Sequence, residues 1–242
     1  MSLDLSRIDK MDGRINQRGA DLFFDEVAVK YGADHGIDNF LVLYGAGRAG
    51  VMGDVTAAQV TSAFGFFEPG LVQKMWSSMG PEVKPSAVAE VFAGALAAAA
   101  RERWDEATGA DVARLGRKVA DSVTPLGMPL FAGWRDVAVP DDPIGAATVT
   151  VMTLRELRGD IHIQSIAASG VGPLEADLAT RGPEFMKMHG WMPPYPEVEQ
   201  HAEAMAGAHA STSERMGRIY AAALDDSELD AFDEAVRHLR KR

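Results

Sequence analysis

Arg155, Glu156, Arg158, Asp160 and His162 crowd the middle of a largely apolar run from Asp142 to Gly170, and they are the side chains best placed to do chemistry. A guanidinium grips a carboxylate or phosphate through two parallel hydrogen bonds, and an imidazole gives or takes a proton near neutral pH. At helical spacing Arg155, Arg158 and His162 share one stripe, and Glu156 and Asp160 share a neighbouring one, so opposite charges need not meet within the helix. Asp160 and His162 stand two apart and diverge, which argues against a dyad between them. Brought beside Arg48, the cluster would bind a small anionic or amphipathic ligand. Arg48, Arg155 and Arg158 would hold its charge, His162 would exchange a proton, and Asp160 would belong to the same set. The alternative is a buried salt-bridge network that sets helix register.

The element that must position these groups is signalled at both ends. Asp142 is a good N-cap, Pro143 suits the first helical position and Gly170 suits the stop, so one helix is predicted between them. Its surface is mostly apolar, which places it in the interior, where charges need partners or shift their ionisation. Gly159 costs about 1 kcal/mol against alanine in a helix interior, so it is expected to admit another backbone, with Gly45 to Gly50 the candidate.

Helical patterns recur elsewhere: 20–32, 56–67 behind Asp54 and Thr56, 69–79, 86–104 started by Ser86, and 111–123. Thr124 to Pro140 reads as an irregular connector anchored by Leu130, Phe131 and Trp134. Beyond the central helix, 173–180 and 183–189 are short helices, the prolines of 192–196 forbid one, and 197–224 and 227–242 resume helical composition. The expected fold class is all-α, a multi-helix globular bundle. Residues 1–124 form its N-terminal helical region and 125–242 hold the long helix and the C-terminal region, either as two parts or as one compact domain.

Gly45, Gly47 and Gly50 match the GxGxxG spacing of dinucleotide sites, with Phe40 to Tyr44 as a possible strand before them. That fingerprint needs a helix opening within the motif and alternating strands and helices around it, and neither is evident. Close helix packing at small residues is the preferred explanation, with Arg48 buried or facing the pocket.

Composition narrows the function classes. The 242 residues carry a formal net charge of -11, which repels phosphate backbones. The basic run from Arg237 to Arg242 complements a helix C-terminus rather than forming a binding arm. Without cysteine there are no disulfides or thiolate metal sites, and no stretch resembles a signal core or membrane span. A cytoplasmic protein without a membrane partner is expected, and Met1, Ser2 and Leu3 read as a cloning remnant.

Several segments together carry a family resemblance. They are Tyr44-Gly-Ala-Gly-Arg-Ala-Gly-Val-Met-Gly53, Ala63-Phe-Gly-Phe-Phe-Glu-Pro69, Arg117 onward through Pro129-Leu-Phe-Ala-Gly133, Asp142-Pro143, Leu154-Arg-Glu-Leu-Arg-Gly-Asp-Ile-His162 and Gly190-Trp191. In this order the chain resembles a largely uncharacterised helix-turn-helix family, common in actinobacteria, with a winged-helix-like region. The resemblance implies a helix-turn-helix-like C-terminal half, and a fold rather than a chemistry. Family members continue after the Gly-Trp pair into an amphipathic helix and a small wing, whereas here Met192-Pro-Pro-Tyr-Pro196 follows. The recognition helix is therefore expected to be missing, and DNA contact is not the favoured function. The N-terminal Glu-Pro and His pattern of the family is also absent, leaving Asp21, Asp25 and Glu26 without a role.

Other chemistry has thin support. His201 and His209 lie eight apart, with only Glu197 and Glu203 near, and read as solvated surface histidines rather than metal ligands. No triad order links Ser165 or Ser169 to a histidine, so no catalytic residue or cofactor is assigned. A homodimer is expected from Trp76, Trp104 and the segment Phe185 to Met188 as apolar surface. Three functions remain: a binder of small anionic ligands, a DNA-contacting regulator and an enzyme of unassigned class. An enclosed pocket walled by Arg158 and His162 would favour the first, and a basic stripe the second.

Overall fold

A computed structural model describes residues 4–241; residues 1–3 and Arg242 lie outside the described part, and with them the expected cloning remnant. The described residues form an all-α fold with no strand, and an isolated bridge joins Trp104 to Arg240. The first five helices are α1 (Leu5–Phe23), α2 (Glu26–Asp34), α3 (Phe40–Ala49), α4 (Ala57–Phe64) and α5 (Pro69–Ser77). Then come α6 (Pro85–Arg103), α7 (Glu106–Asp121), α8 (Pro129–Arg135) and α9 (Pro143–Ser169). The chain closes with α10 (Pro173–Arg181), α11 (Pro183–Met186), α12 (Ala202–Ala223) and α13 (Asp226–His238).

α9 is the axis of the fold. Asp142 accepts from the Gly145 amide at its start, and Gly170 closes it at φ +76°, in the left-handed region open to glycine. From Ala147 to Leu154 every residue is buried, with α1, α6, α7, α8 and α12 packed around it. The main core joins Ile8, Met11, Ile15 and Leu22 of α1 to Phe92, Leu96, Leu115, Leu157, Tyr220 and Phe232. A smaller core gathers Val60, Phe64, Phe67, Val72 and Met75 around α4 and α5.

Several boundaries differ from expectation for local reasons. The predicted helix at 20–32 is broken after Phe23, because Asp25 accepts from the Val27 amide and starts α2 afresh. α1 went unread as an element, although its apolar residues recur at helical spacing. Phe40 to Tyr44 is helical, and Gly45 and Gly47 sit inside α3. A Cβ at Gly47 would lie 2.5 Å from Phe92, and one at Gly50 only 1.9 Å from the Pro85 carbonyl oxygen. The glycines therefore serve close packing of α3 and its end against α6, as preferred over a nucleotide loop. Pro85, not Ser86, opens α6, and the connector at 124–140 contains α8, whose Leu130, Phe131 and Trp134 are fully buried. Trp104, expected on a dimer surface, is 1% exposed and belongs to the main core.

Gly159 does not receive another backbone. A Cβ there would meet only Glu156 Oε2, at 3.8 Å. The basic tail folds back along α6: the Lys241 ammonium donates to the Arg101 carbonyl at 2.7 Å, and Arg240 pairs with Asp21. No helix of the described residues is long and apolar enough to cross a membrane.

Candidate functional site

Solvent first returns to α9 after its buried stretch at Arg155, Arg158 and Gly159, and again at Ile163, all on one side of the helix. Glu156, one position off this face, is fully buried and is the hub of an ion cluster. Arg48 reaches it from α3 with two parallel bonds, Nε to Oε1 at 2.9 Å and Nη2 to Oε2 at 2.8 Å. Arg155 Nη1 donates to Oε1 at 2.5 Å, so these sequence neighbours do pair, against the expectation from stripe geometry. The long arginine side chain folds back along its own helix to do so. Both guanidiniums lie over aromatic rings, Arg48 over Phe64 and Arg155 over Phe23, at 4.5 and 4.9 Å from the ring centres.

The charges do not balance within this cluster. Burial would raise the Glu156 pKa, but the two guanidiniums outweigh it and hold the carboxyl below its ordinary range. Burial and the charge of Arg48 push Arg155 down, although Glu156 pulls the other way. Two cations thus share one carboxylate, and Arg155 Nε is buried without a hydrogen-bond partner among the described residues.

The remaining predicted residues have other partners. Asp160 Oδ2 accepts from the Phe131 amide at 2.9 Å and supplies α8 with the capping group that Met128 lacks. Burial, helped by nearby Glu156, pushes Asp160 up to about 7. Arg158 Nε stands 3.7 Å from Asp12 Oδ2 on α1, while Asp12 Oδ1 accepts from the Tyr220 hydroxyl at 2.6 Å. Asp12 is also raised to about 7, by burial first, against the opposing Tyr220 bond and Arg158, and its Oδ2 has no hydrogen-bond partner. His162 Nδ1 lies 3.0 Å from Thr212 Oγ1 of α12, and its ring stacks on His209 at 4.8 Å with Phe66 5.9 Å away. Burial, then Arg158, His209 and Arg181, lower its pKa to about 3.

Arg48 and Arg155 are therefore brought together at Glu156, Arg158 turns to Asp12, Asp160 faces α8 and His162 faces α12. The three guanidiniums do not meet at one point. Arg48 stays buried on α3, while Arg155 and Arg158 share the open side of α9. There Asp12 and His209 border Arg158 and His162, and Phe66 and Gly65 border His162 and Ile163. His209 is thus half-buried against His162 instead of being a solvated surface histidine.

Two surface clefts lie elsewhere. One, of about 580 Å³, runs between α6 and residues 133–140 past Tyr31, Glu90 and Arg101. The other, of about 770 Å³, separates α1 from α13. Neither is walled by Arg158 and His162. The second holds the basic stripe of α1, but Arg7, Lys10, Arg14 and Arg237 face Asp4, Asp230, Asp233 and Glu234 across it, so positive charge is cancelled locally.

Comparison with protein families gives one decisive match. A helix-turn-helix family model covers residues 9–215, which is most of the chain. The chain belongs to this helix-turn-helix family. Comparison with curated proteins and with solved structures gives no match. α4 and α5 are two short helices joined by residues 65–68, with Gly65 at φ +69°. α11, near the Gly-Trp pair, is a single turn.

Asp12, Thr212 and Tyr220 are the polar partners not singled out from the sequence. Asp12 had a signal: it sits among Ile8, Met11 and Ile15 on the apolar face of α1. Among the described residues no group of histidine and acidic side chains could hold a metal ion. Ser165 and Ser169 donate to carbonyls of their own helix, at Ile161 and Ile166.

Proposed function

We propose that this protein binds a small organic anion on the open face of α9, with Arg155 and Arg158 holding the charge and His162 beside them. The observation that carries this is the surplus cation at Glu156. Arg155 spends one N–H on the carboxylate, leaves Nε unpaired, and sits where the helix meets solvent. A buried, half-satisfied guanidinium is costly unless something else pairs with it. Arg158, separated by 3.7 Å from a carboxyl that prefers its proton, has charge to offer as well. Phe66, half-buried beside His162, suits a ligand with an apolar body.

The test is thermal unfolding of the protein with a panel of carboxylates and inorganic phosphate, repeated on Arg155→Met. At least one anion should raise the midpoint in the wild type and fail to do so in the variant. Stabilisation that survives the substitution, or none by any anion, would sink the proposal.

A second reading rests on the α4–α5 pair with its glycine turn, the connectivity of a DNA-binding unit. The exposed positions of α5 are Pro69, Gly70, Gln73, Lys74 and Ser77, with one cation among them. Sequence-independent affinity there would be small. Anisotropy of a labelled duplex against rising salt tests it: loss of binding in Lys74→Glu supports α5 as the contact, and absence of binding at low salt removes it.

A further inference from the structure

The edge of His162 that faces away from α12 points to the kind of ligand the open face of α9 takes. Thr212 Oγ1 donates its only hydrogen to the Ala208 carbonyl, at 2.8 Å. It can then meet His162 Nδ1, 3.0 Å away, only with a lone pair. With the hydroxyl hydrogen on that carbonyl, Nδ1 carries the ring hydrogen and Nε2 is left as a bare acceptor. Nε2 has no hydrogen-bond partner among the described residues, and it is not one of the enclosed polar atoms, so it keeps contact with solvent.

The ring is held in this orientation. His209 stacks on it with an interplanar angle of 24°, and Phe66 lies 5.9 Å from its centre on α4's side. The charged groups around it are cationic: Arg158 one turn earlier on α9, and Arg181 at the end of α10. Asp9 of α1 faces His209 and bonds Ser213, and Asp12 faces Arg158. No carboxylate among the described residues pairs with His162 itself. A second proton on the imidazole therefore has nothing to stabilise it.

We propose that His162 Nε2 accepts a hydrogen bond from the ligand, so that the open face of α9 selects an organic acid that also carries a hydroxyl or N–H donor. Arg158 and His162 stand one turn apart on the same side of α9, so one ligand can reach both. The inference rests on the proposed anion site and adds the donor requirement. A bound acid that covers this acceptor without donating to it leaves it buried and unpaired, so the analogue that lacks the donor is rejected.

The probe pair is 4-hydroxybenzoate and benzoate, measured by calorimetric titration with the wild type and His162→Phe. The phenyl ring keeps the stacking and removes both nitrogens. The wild type should bind the hydroxy acid at least about tenfold more tightly. In the variant that preference should fall to within about twofold. Equal binding of both acids to the wild type overturns the donor requirement and leaves the anion site standing. Failure of both acids to bind overturns the anion site and the donor requirement together. Independently of any ligand, long-range ¹H–¹⁵N spectra between pH 5 and 8 should show His162 neutral with its hydrogen on Nδ1. A hydrogen on Nε2, or a protonated ring, overturns the inference.

Discussion

Arg48 and Glu156, 108 residues apart, form a two-pronged ion pair at 2.9 and 2.8 Å that ties α3 to the central helix inside the protein. Removing one partner leaves the other charged and unpaired in a medium that solvates it poorly, which costs about 3–5 kcal/mol. Glu156→Leu strands both Arg48 and Arg155 and should cost at least that much. The double variant Arg48→Met with Glu156→Leu should lose less than Glu156→Leu alone, since it strands Arg155 but no longer Arg48. Urea unfolding of the three proteins decides it, and a double variant weaker than the single would contradict the account.

Asp12 makes stability fall as pH rises. Its folded pKa is raised from 3.8 to about 7, so the folded protein holds a proton that the unfolded chain has lost. This contribution is fully present below pH 4 and is lost as pH climbs through 7. Asn at this position keeps an acceptor for Tyr220 and never ionises. Asp12→Asn should therefore gain on the wild type between pH 4 and pH 8, by one to a few kcal/mol in order of magnitude. A stability difference that stays flat across that range would show that Asp12 ionises freely in the fold. Asp160, also raised to about 7, adds to the wild-type slope in both proteins and cancels in the comparison.

His162 acts in the opposite direction. Its folded pKa is depressed from 6.5 to about 3, so the unfolded chain takes up a proton that the folded protein refuses. Stability from this residue is complete above pH 6.5 and drains away as pH falls towards 3. His162→Phe lacks this loss. The gap in melting temperature between wild type and variant should move in the variant's favour from pH 7 to pH 4.5. A constant gap would mean that the imidazole protonates within the fold.

The axis of this fold was legible because its signals are local. Asp142, Pro143 and Gly170 each act through their own backbone geometry, and a long apolar run between them has little choice but the interior. The charged cluster was legible as a cluster and not as a set of partnerships. Helical periodicity says which way a side chain leaves the helix, whereas its partner is set by which other helix arrives. Asp160 lies near Glu156 in sequence, yet it caps α8, whose existence was hidden by Pro129 and Gly133 in what read as irregular chain. Arg155 could bend back to Glu156 because Gly19 of α1 leaves room: a Cβ there would lie 2.9 Å from the Arg155 side chain. The α1–α2 break at Phe24 was missed because the apolar spacing continues across it, and the cap at Asp25 outweighs that spacing.

Gly50 is buried and Gly159 lies on the open face of α9, and they should respond to alanine in opposite ways. At Gly50 the added methyl would sit 1.9 Å from the Pro85 carbonyl oxygen, a backbone atom that moves only with the start of α6. Gly50→Ala should cost several kcal/mol, in the range of severe overpacking. At Gly159 the nearest obstacle is Glu156 Oε2 at 3.8 Å, an ordinary contact distance. Alanine is the better helix former there, so Gly159→Ala should stabilise the unliganded protein by about 0.5–1 kcal/mol. The same methyl protrudes into the open face between Arg155 and His162, and it should weaken the binding of any anion that stabilises the wild type. A variant that is both more stable and less able to bind would mark Gly159 as kept for the open face. Unchanged binding in a stabilised Gly159→Ala would move the ligand away from this face of α9.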